Sequence, residues 1–429
     1  MINEVWPIEL GAAVGPFRLG DSIAEVLHAL KVGLLSKYGP LNHPGSALTR
    51  RRNVTSRQSR LPVRPFEIIY DAADPYHNAN VIESSEDGLR LHIDAVRQVL
   101  VKIEFYVVNN VPLKYGRVVI FGGDIPATFM SIYNLFGPTF PGQYDAENKS
   151  YALTYEGASF TFPIPAEYSH LYQNKTDLPL EFPNGKTPAA CAFQVFVGDN
   201  SRAPQMPQPA RRHYFEEVEV EISETNTVAL NFKGRKQQIE LGWTPQEVMS
   251  EIGAPVSVFR KSEDHDDGFV FSAGGKADRA MANSVCPVCR SSVAGGTVGD
   301  YFHNYPHLGL DIMYDALHAA TKVILKTNAL GHPDFGAYQK CNFRLCFLTS
   351  AALQKSGVKK TRIPAISPET PWKDIQKMFG SSSDQRPLVH DDGLGLHPFG
   401  SSLCYTPIPG CTFEVLKNGY IASVAMSIA

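Results

Sequence analysis

Gly309-Leu310-Asp311-Ile312-Met313-Tyr314-Asp315-Ala316 matches Gly88-Leu89-Arg90-Leu91-His92-Ile93-Asp94-Ala95 at Gly, Leu, Asp and Ala, with apolar residues alternating between. Alternation of period two marks a half-buried antiparallel strand. Two shorter segments follow the same plan, Gly157-Ala158-Ser159-Phe160-Thr161-Phe162 and Gly410-Cys411-Thr412-Phe413-Glu414-Val415. A further strand pattern follows three of them: Val99 to Phe105, Lys322 to Thr327, and Tyr420 to Met426. An aromatic strand precedes each glycine: Phe66 to Tyr70, Tyr151 to Tyr155, Tyr301 to Tyr305, and Leu403 to Tyr405.

A short helical signal precedes each group. Leu19-Gly20-Asp21-Ser22-Ile23-Ala24-Glu25-Val26 returns as Leu241-Gly242-Trp243-Thr244-Pro245-Gln246-Glu247-Val248, with weaker copies at Thr128 to Pro138 and Thr370 to Gly380. Ser22 with Glu25, and Thr244 with Glu247, have the spacing of a capping box, in which each side chain satisfies a free backbone N–H. Pro245 stands where a helix needs no N–H. Val26, Leu27 and Leu30 form one apolar face, as do Val248, Met249 and Ile252, and Ile132, Tyr133 and Phe136. Helices of about three turns are unstable alone, so each must pack on something.

The expected fold is α+β and β-rich: four helix-plus-antiparallel-meander repeats, of two or three strands each, arranged as two related halves. Copies one and three have a long form, two and four a short one. Gly20 and Gly242 lie 222 residues apart and Gly88 and Gly309 lie 221 apart, so the halves are set at 1–212 and 213–429. Three insertions interrupt the units: basic 42–64, Gly/Ala/Ser-rich 262–299, and 348–368.

Composition narrows the function. The 429 residues are 43% hydrophobic and 19% charged, enough for a core. Lys plus Arg number 40 against 43 Asp plus Glu, which argues against a surface given over to nucleic acid. No stretch reaches the roughly 18–20 apolar residues of a membrane span. Met1 to Pro7 lacks the basic and apolar regions of a secretory signal. Seven scattered cysteines do not read as a disulfide framework. The expectation is a soluble cytoplasmic protein.

Chemical motifs are thin. Cys286-Pro287-Val288-Cys289 has half of a zinc pattern, but Cys341 and Cys346 lie too far on, with the wrong spacing. His303, His307, Asp311 and His332 cluster in sequence, and on a strand His303 and His307 would share a face, so a metal is conceivable. Ordinary edge and turn histidines are the alternative. Asp94 and Asp315 end equivalent strands, where an Asp caps a turn more often than it does acid–base work. Nucleophile elbows, phosphate loops and dinucleotide fingerprints are absent, so neither catalytic residue nor cofactor is assigned. The run 49–64 carries Arg50, Arg51, Arg52, Arg57, Arg60 and Arg64 without an acid. These arginines are the candidates for contact with anionic membrane or phosphate, at about 1 kcal/mol each near such a surface; a solvated, disordered insertion is the alternative and the favoured reading.

Several blocks resemble the phagosome (phagophore) assembly factor family. The most specific is Asp300-Tyr301-Phe302-His303-Asn304-Tyr305 through Leu308–Ala316, Lys326-Thr327-Asn328 and Gly331-His332 to Tyr338-Gln339-Lys340-Cys341-Asn342-Phe343. Others are Pro398-Phe399-Gly400-Ser401-Ser402, Leu113-Lys114-Tyr115, and Phe136-Gly137-Pro138-Thr139-Phe140-Pro141-Gly142. The resemblance implies a non-enzymatic cytosolic autophagy factor with no catalytic residues to carry over. It implies pairing with a WD-repeat β-propeller partner, the breast carcinoma amplified sequence 3 homologue. It also implies peripheral association with the phagophore membrane, with phosphoinositide recognition mainly by that partner. The arginine run and the cysteine-bearing insertion read as departures from the animal pattern, as in a fungal or similarly distant member.

Overall fold

The structure, a computed structural model, describes residues 5–38, 66–122, 124–139, 142–172, 178–209, 211, 214–223, 227–260, 270–272, 300–347, 365–379, 387–390 and 402–428. The chain forms two compact units, Met1–Asp71 with His77–Ala210, and Ala72–Tyr76 with Arg211–Ala429. Both are β-rich, with few helices and mostly antiparallel sheets.

In unit 1, β1 (Trp6–Glu9), β2 (Ala13–Val14) and β3 (Phe17–Arg18) lead to helix α1 (Ile23–Tyr38). A meander follows: β4 (Glu67–Ile69), β5 (Asn80–Ser84), β6 (Leu89–Ile93) and β7 (Leu100–Phe105). Next come β8 (Leu113–Tyr115), β9 (Val118–Phe121) and α2 (Phe129–Phe136). The second meander is β10 (Gln143–Asp145), β11 (Ser150–Tyr155), β12 (Ala158–Pro163), a short α3 (Ser169–Tyr172) and β13 (Ala192–Phe196). The meanders join through β7 and β13 into one sheet, β10-β11-β12-β13-β7-β6-β5-β4. The remaining strands form β3-β2-β1-β8-β9, in which β1 and β8 run parallel.

Unit 2 contains β14 (Glu217–Ile222), β15 (Val228–Phe232), β16 (Gln237–Glu240), α4 (Pro245–Ile252), β17 (Ser257–Arg260) and β18 (Val270–Ser272). It continues with β19 (Tyr301–Tyr305), β20 (Leu310–Tyr314), β21 (Ala320–Lys326), β22 (Asn342–Phe347) and α5 (Trp372–Phe379). It ends with β23 (Leu388–His390), β24 (Ser402–Ile408), β25 (Cys411–Val415) and β26 (Ile421–Ser427). Its large sheet is β18-β17-β19-β20-β21-β26-β25-β24-β23 and its small one β16-β15-β14-β22, again with one parallel pair, β14 with β22.

One face of each large sheet is the core. In unit 1 the register aligns Phe160 with Phe193 and Phe193 with Phe105, a ladder of fully buried rings. Phe121 of β9 meets Phe193 at 5.3 Å and Phe136 of α2 meets Phe160 at 5.5 Å, so the small sheet and helix cover that ladder. In unit 2 the same position holds Phe413, Val424, Leu325 and Leu310, buried with Val220, Leu230, Val248 and Ile375 from the small sheet and helices.

The caps form as their residues dictate. Thr244 accepts from Glu247 N while Glu247 accepts from Thr244 N, and Pro245 opens α4. Ser22 N donates to Glu25 at 2.9 Å. Gly88, Gly157, Gly309 and Gly410 all have positive φ. The carbonyl of each accepts an N–H from the end of the next strand: Tyr106, Phe196, Lys326 and Ser427 respectively.

Several expectations need correction. Among the described residues three meanders have four strands and the third has five, β17 to β21, not two or three, and copies two and four are no shorter than the first. The strand β13 lies 29 residues beyond β12, too far for a local pattern to connect. The strand before Gly88 is β5, with no aromatic residue, whereas Phe66 to Tyr70 holds β4 one strand further out. Helix α1 runs 16 residues rather than three turns. The insertion 262–299 contains β18, an edge strand paired with β17.

A β-carbon at Gly309 would lie 2.3 Å from Gln339 O, on top of φ +69°, whereas Gly419 has φ +82° and open space. Gly309→Ala should therefore destabilise unit 2 by more than about 3 kcal/mol and Gly419→Ala by about 1 kcal/mol. Urea unfolding midpoints of the two variants test the difference.

Candidate functional site

Arg50, Arg51, Arg52, Arg57, Arg60 and Arg64 lie outside the described residues, as do Cys286 and Cys289. The histidine cluster is described, and it is not one site. Asn304 pairs with Asp311 across β19 and β20, and Asn304 Nδ2 donates to Asp311 Oδ1 at 2.8 Å. His303, one residue earlier, points to the opposite face, beside Tyr314 at 4.7 Å between ring centroids. The strand ends at Tyr305, and His307 falls in the 3-10 turn Pro306–Leu308, so the two histidines do not share a strand face. Among the described residues no group of three or more His, Cys, Asp or Glu side chains is placed to hold a metal. Asp94 and Asp315 cap their turns: Asp94 Oδ1 accepts from Arg97 N at 2.6 Å, and Asp315 Oδ1 from Leu317 N and Ala319 N at 2.9 Å.

His303 is 6% exposed, and among the described residues neither its Nδ1 nor the Tyr314 hydroxyl has a hydrogen-bond partner. Burial lowers the His303 imidazole to about 4.

The second face of the unit 2 sheet carries a buried polar network that sequence reading missed. Tyr338 donates to both Asp311 oxygens, at 2.8 and 3.0 Å. Burial pushes the Asp311 carboxyl up, against the pull of the Lys326 charge and of its two donors. Lys326 Nζ bonds Asp334 at 3.0 Å. Glu414 accepts from Ser402 at 2.8 Å, Ser423 at 2.7 Å and His332 Nε2 at 3.2 Å. Asp334 N–H donates to His332 Nδ1, which assigns the proton to Nε2. Burial opposes the Glu414 charge, but the bonds from His332 and Ser423 and the Lys326 charge overcome it and hold the carboxyl below the usual range. Lys340, its side chain fully buried, pairs with Glu369 and sits 4.6 Å from the Tyr76 ring centre and 5.7 Å from that of Phe215. The signal was present as Lys326, Asp334 and Lys340 in one short stretch, but only tertiary structure buries them.

Unit 1 treats its second face differently. An open groove of about 1050 Å³ runs over β10, β11, β12, β13 and β7. Its floor is small and polar, including Ser150, Ala152, Thr154, Ser159, Thr161 and Ala192. Arg202 Nη2 bonds Asp145 at 3.0 Å on the rim. Gln194 Nε2 and His92 Nε2 contact Glu104 at 2.7 and 2.8 Å. Burial opposes the Glu104 charge, but the His92 bond and the Lys102 charge bring its carboxyl down to about 2. This is the candidate interaction surface.

The model of the phagosome assembly factor 1 family matches residues 49–269 and 286–427. The chain belongs to the phagosome assembly factor 1 family. A PHAF1 protein of Arabidopsis thaliana is 34% identical, with 98% of this chain and 92% of that protein covered. PHAF1 proteins of Drosophila melanogaster and Caenorhabditis elegans are 29% and 26% identical, covering 85% and 84% of this chain and the same shares of their own. No solved structure matches the chain significantly. The PHAF1 match takes in the arginine run, and its second block opens at Cys286, so both features lie within the matched spans. The groove and the unit 2 network lie within them as well.

The His303 ring binds its proton near 6.5 in the unfolded chain and near 4 in the fold. Stability fully present above pH 6.5 is therefore lost as pH falls through 4. The stability of the wild type relative to His303→Phe should fall by roughly 2 kcal/mol between pH 7 and 4, allowing for residual solvation. Chemical denaturation across that range reads the slope.

Proposed function

We propose that this chain is a non-enzymatic scaffold of autophagy, a docking platform used in assembling the phagophore. In this reading four helix-plus-meander repeats, arranged as two related halves, build the platform. Support comes from the common strand order and from the four turn glycines that bond their neighbouring strand in one way. The platform pairs with a WD-repeat β-propeller partner in the cytoplasm and is recruited with it to phosphoinositide-bearing membrane as a peripheral protein. Family membership supports the setting.

The observation that carries the reading is the open polar groove of unit 1. A reaction pocket excludes water and holds acid–base groups with displaced proton affinities. This groove is broad and open, and its two displaced carboxyls are committed, Glu104 to His92 and Gln194 and Asp145 to Asn148 and Arg202. In unit 2, Asp311, Glu414 and Glu369 are likewise engaged by internal donors. A second reading rests on the six arginines of residues 49–64: direct binding of anionic lipid.

Affinity purification of the full chain from its native cells should recover a WD-repeat propeller protein in near-stoichiometric amount. Recovery of none overturns the pairing. Flotation of the purified chain with phosphoinositide vesicles tests the second reading: replacing all six arginines with Gln should cut flotation at least fivefold, and an unchanged signal removes it.

A further inference from the structure

Apart from the extra edge strand β18, the two large sheets share a strand order but not the fate of their second face. In unit 2 the connection from β21 to β22 is residues 327–341. It brings His332 to Glu414, Asp334 to Lys326 and Tyr338 to Asp311, so one irregular segment engages polar groups of β20, β21 and β25. In unit 1 the corresponding connection, from β7 to β8, is only residues 106–112. No described residue of that loop lines the groove, which stays open.

We propose that the groove of unit 1 takes a basic, extended polypeptide segment of a partner protein, which supplies the cover that this half lacks. The inference rests on the docking reading and names the chemistry of its ligand. Charge comes first. The lining holds four carboxylates, Glu104, Asp145, Glu156 and Asp199, against two cations, Lys102 and Arg202. Asp145 is paired with Arg202, while Glu156 and Asp199 are exposed and make no ion pair among the described residues. A net-negative trough repels phosphate, so nucleic acid and anionic headgroups are poor occupants. Shape comes second. Five adjacent strands span roughly 19 Å, the length of about six extended residues. The small side chains of Ala152 and Ala192 leave depth, and Ser150, Thr154, Thr161 and Gln194 offer donors and acceptors to a peptide backbone.

The purified full chain, immobilised, would be panned against a random library of ten-residue peptides at 50 and 300 mM salt. The expected result is enrichment of peptides with two or more Lys or Arg. Their binding should fall at least tenfold in Ala192→Arg, which fills the trough, and at least threefold in Asp199→Lys at the exposed rim and at the higher salt. The rim variant keeps the test decisive if the first one fails to fold. Enrichment of acidic or uncharged peptides, no enrichment, or equal binding by Asp199→Lys overturns the inference. Phosphoinositide vesicles whose binding is lost in Ala192→Arg would overturn it too. A chain that captures basic peptides but no propeller protein would sink the pairing proposed above and leave this inference standing.

Discussion

Each large sheet is held together at its middle by two strands from distant parts of the chain. In unit 1, β7 pairs with β13, and in unit 2, β21 pairs with β26, both antiparallel. The register of that pairing settles the rest. With Phe105 opposite Phe193, the aromatic ladder falls on one face and Glu104, Gln194 and Thr161 on the other. A slip of one residue would move every ring to the polar side, because strand side chains alternate with period two. The small sheets and capped helices add no competing register. They bring Phe121, Phe136, Val248 and Ile375 to the face already made apolar.

The second face shows how the same sheet plan tolerates opposite solvents. In unit 2 it is largely dry: Phe302, Met313, Ile324, Cys404 and Ala425 form an apolar cluster there, next to Asp311 and Glu414. A buried carboxylate costs several kcal/mol unless its oxygens are satisfied. Asp311 and Glu414 meet that condition in different ways. Asp311 leans on a tyrosine hydroxyl and an amide, and its proton affinity still rises. Glu414 has two hydroxyls, an imidazole N–H and a nearby lysine, and its proton affinity falls. Such a network is weak evidence for stability, but it fixes where residues 327–341 lie, because any other position would orphan a buried charge.

The sequence carried the local devices in full and the long-range ones poorly. Ser22 with Glu25 and Thr244 with Glu247 were readable because a capping box is complete within four residues. The turn glycines were readable for the same reason. Strand β13 was not, since its partner β12 is separated from it by α3 and a long connection. The opening hairpins were also missed, although Glu217 to Ile222 alternates strictly and Val228 to Phe232 answers it. Their role depends on the parallel pairings of β1 with β8 and β14 with β22, which no local pattern announces. His303, His307 and Asp311 looked like one cluster because they are close in sequence. A strand turns neighbours to opposite faces, and Pro306 ends the strand before His307. The groove was illegible for the converse reason, as its floor comes from five strands and its rim from the loop around Arg202.

What separates the two faces is, in the end, the length of one connection. Residues 106–112 pass from β7 to β8 almost directly, whereas residues 327–341 have the length to double back before β22 begins. The strands beneath match that difference in composition. Under the longer segment lie groups that need partners out of water, Asp311 and Glu414 above all. Under the shorter one lie Ser150, Thr154, Thr161 and Ala192, which lose little when water covers them. A face of hydroxyls and methyls is stable open, because its polar groups can exchange hydrogen bonds with water at little cost.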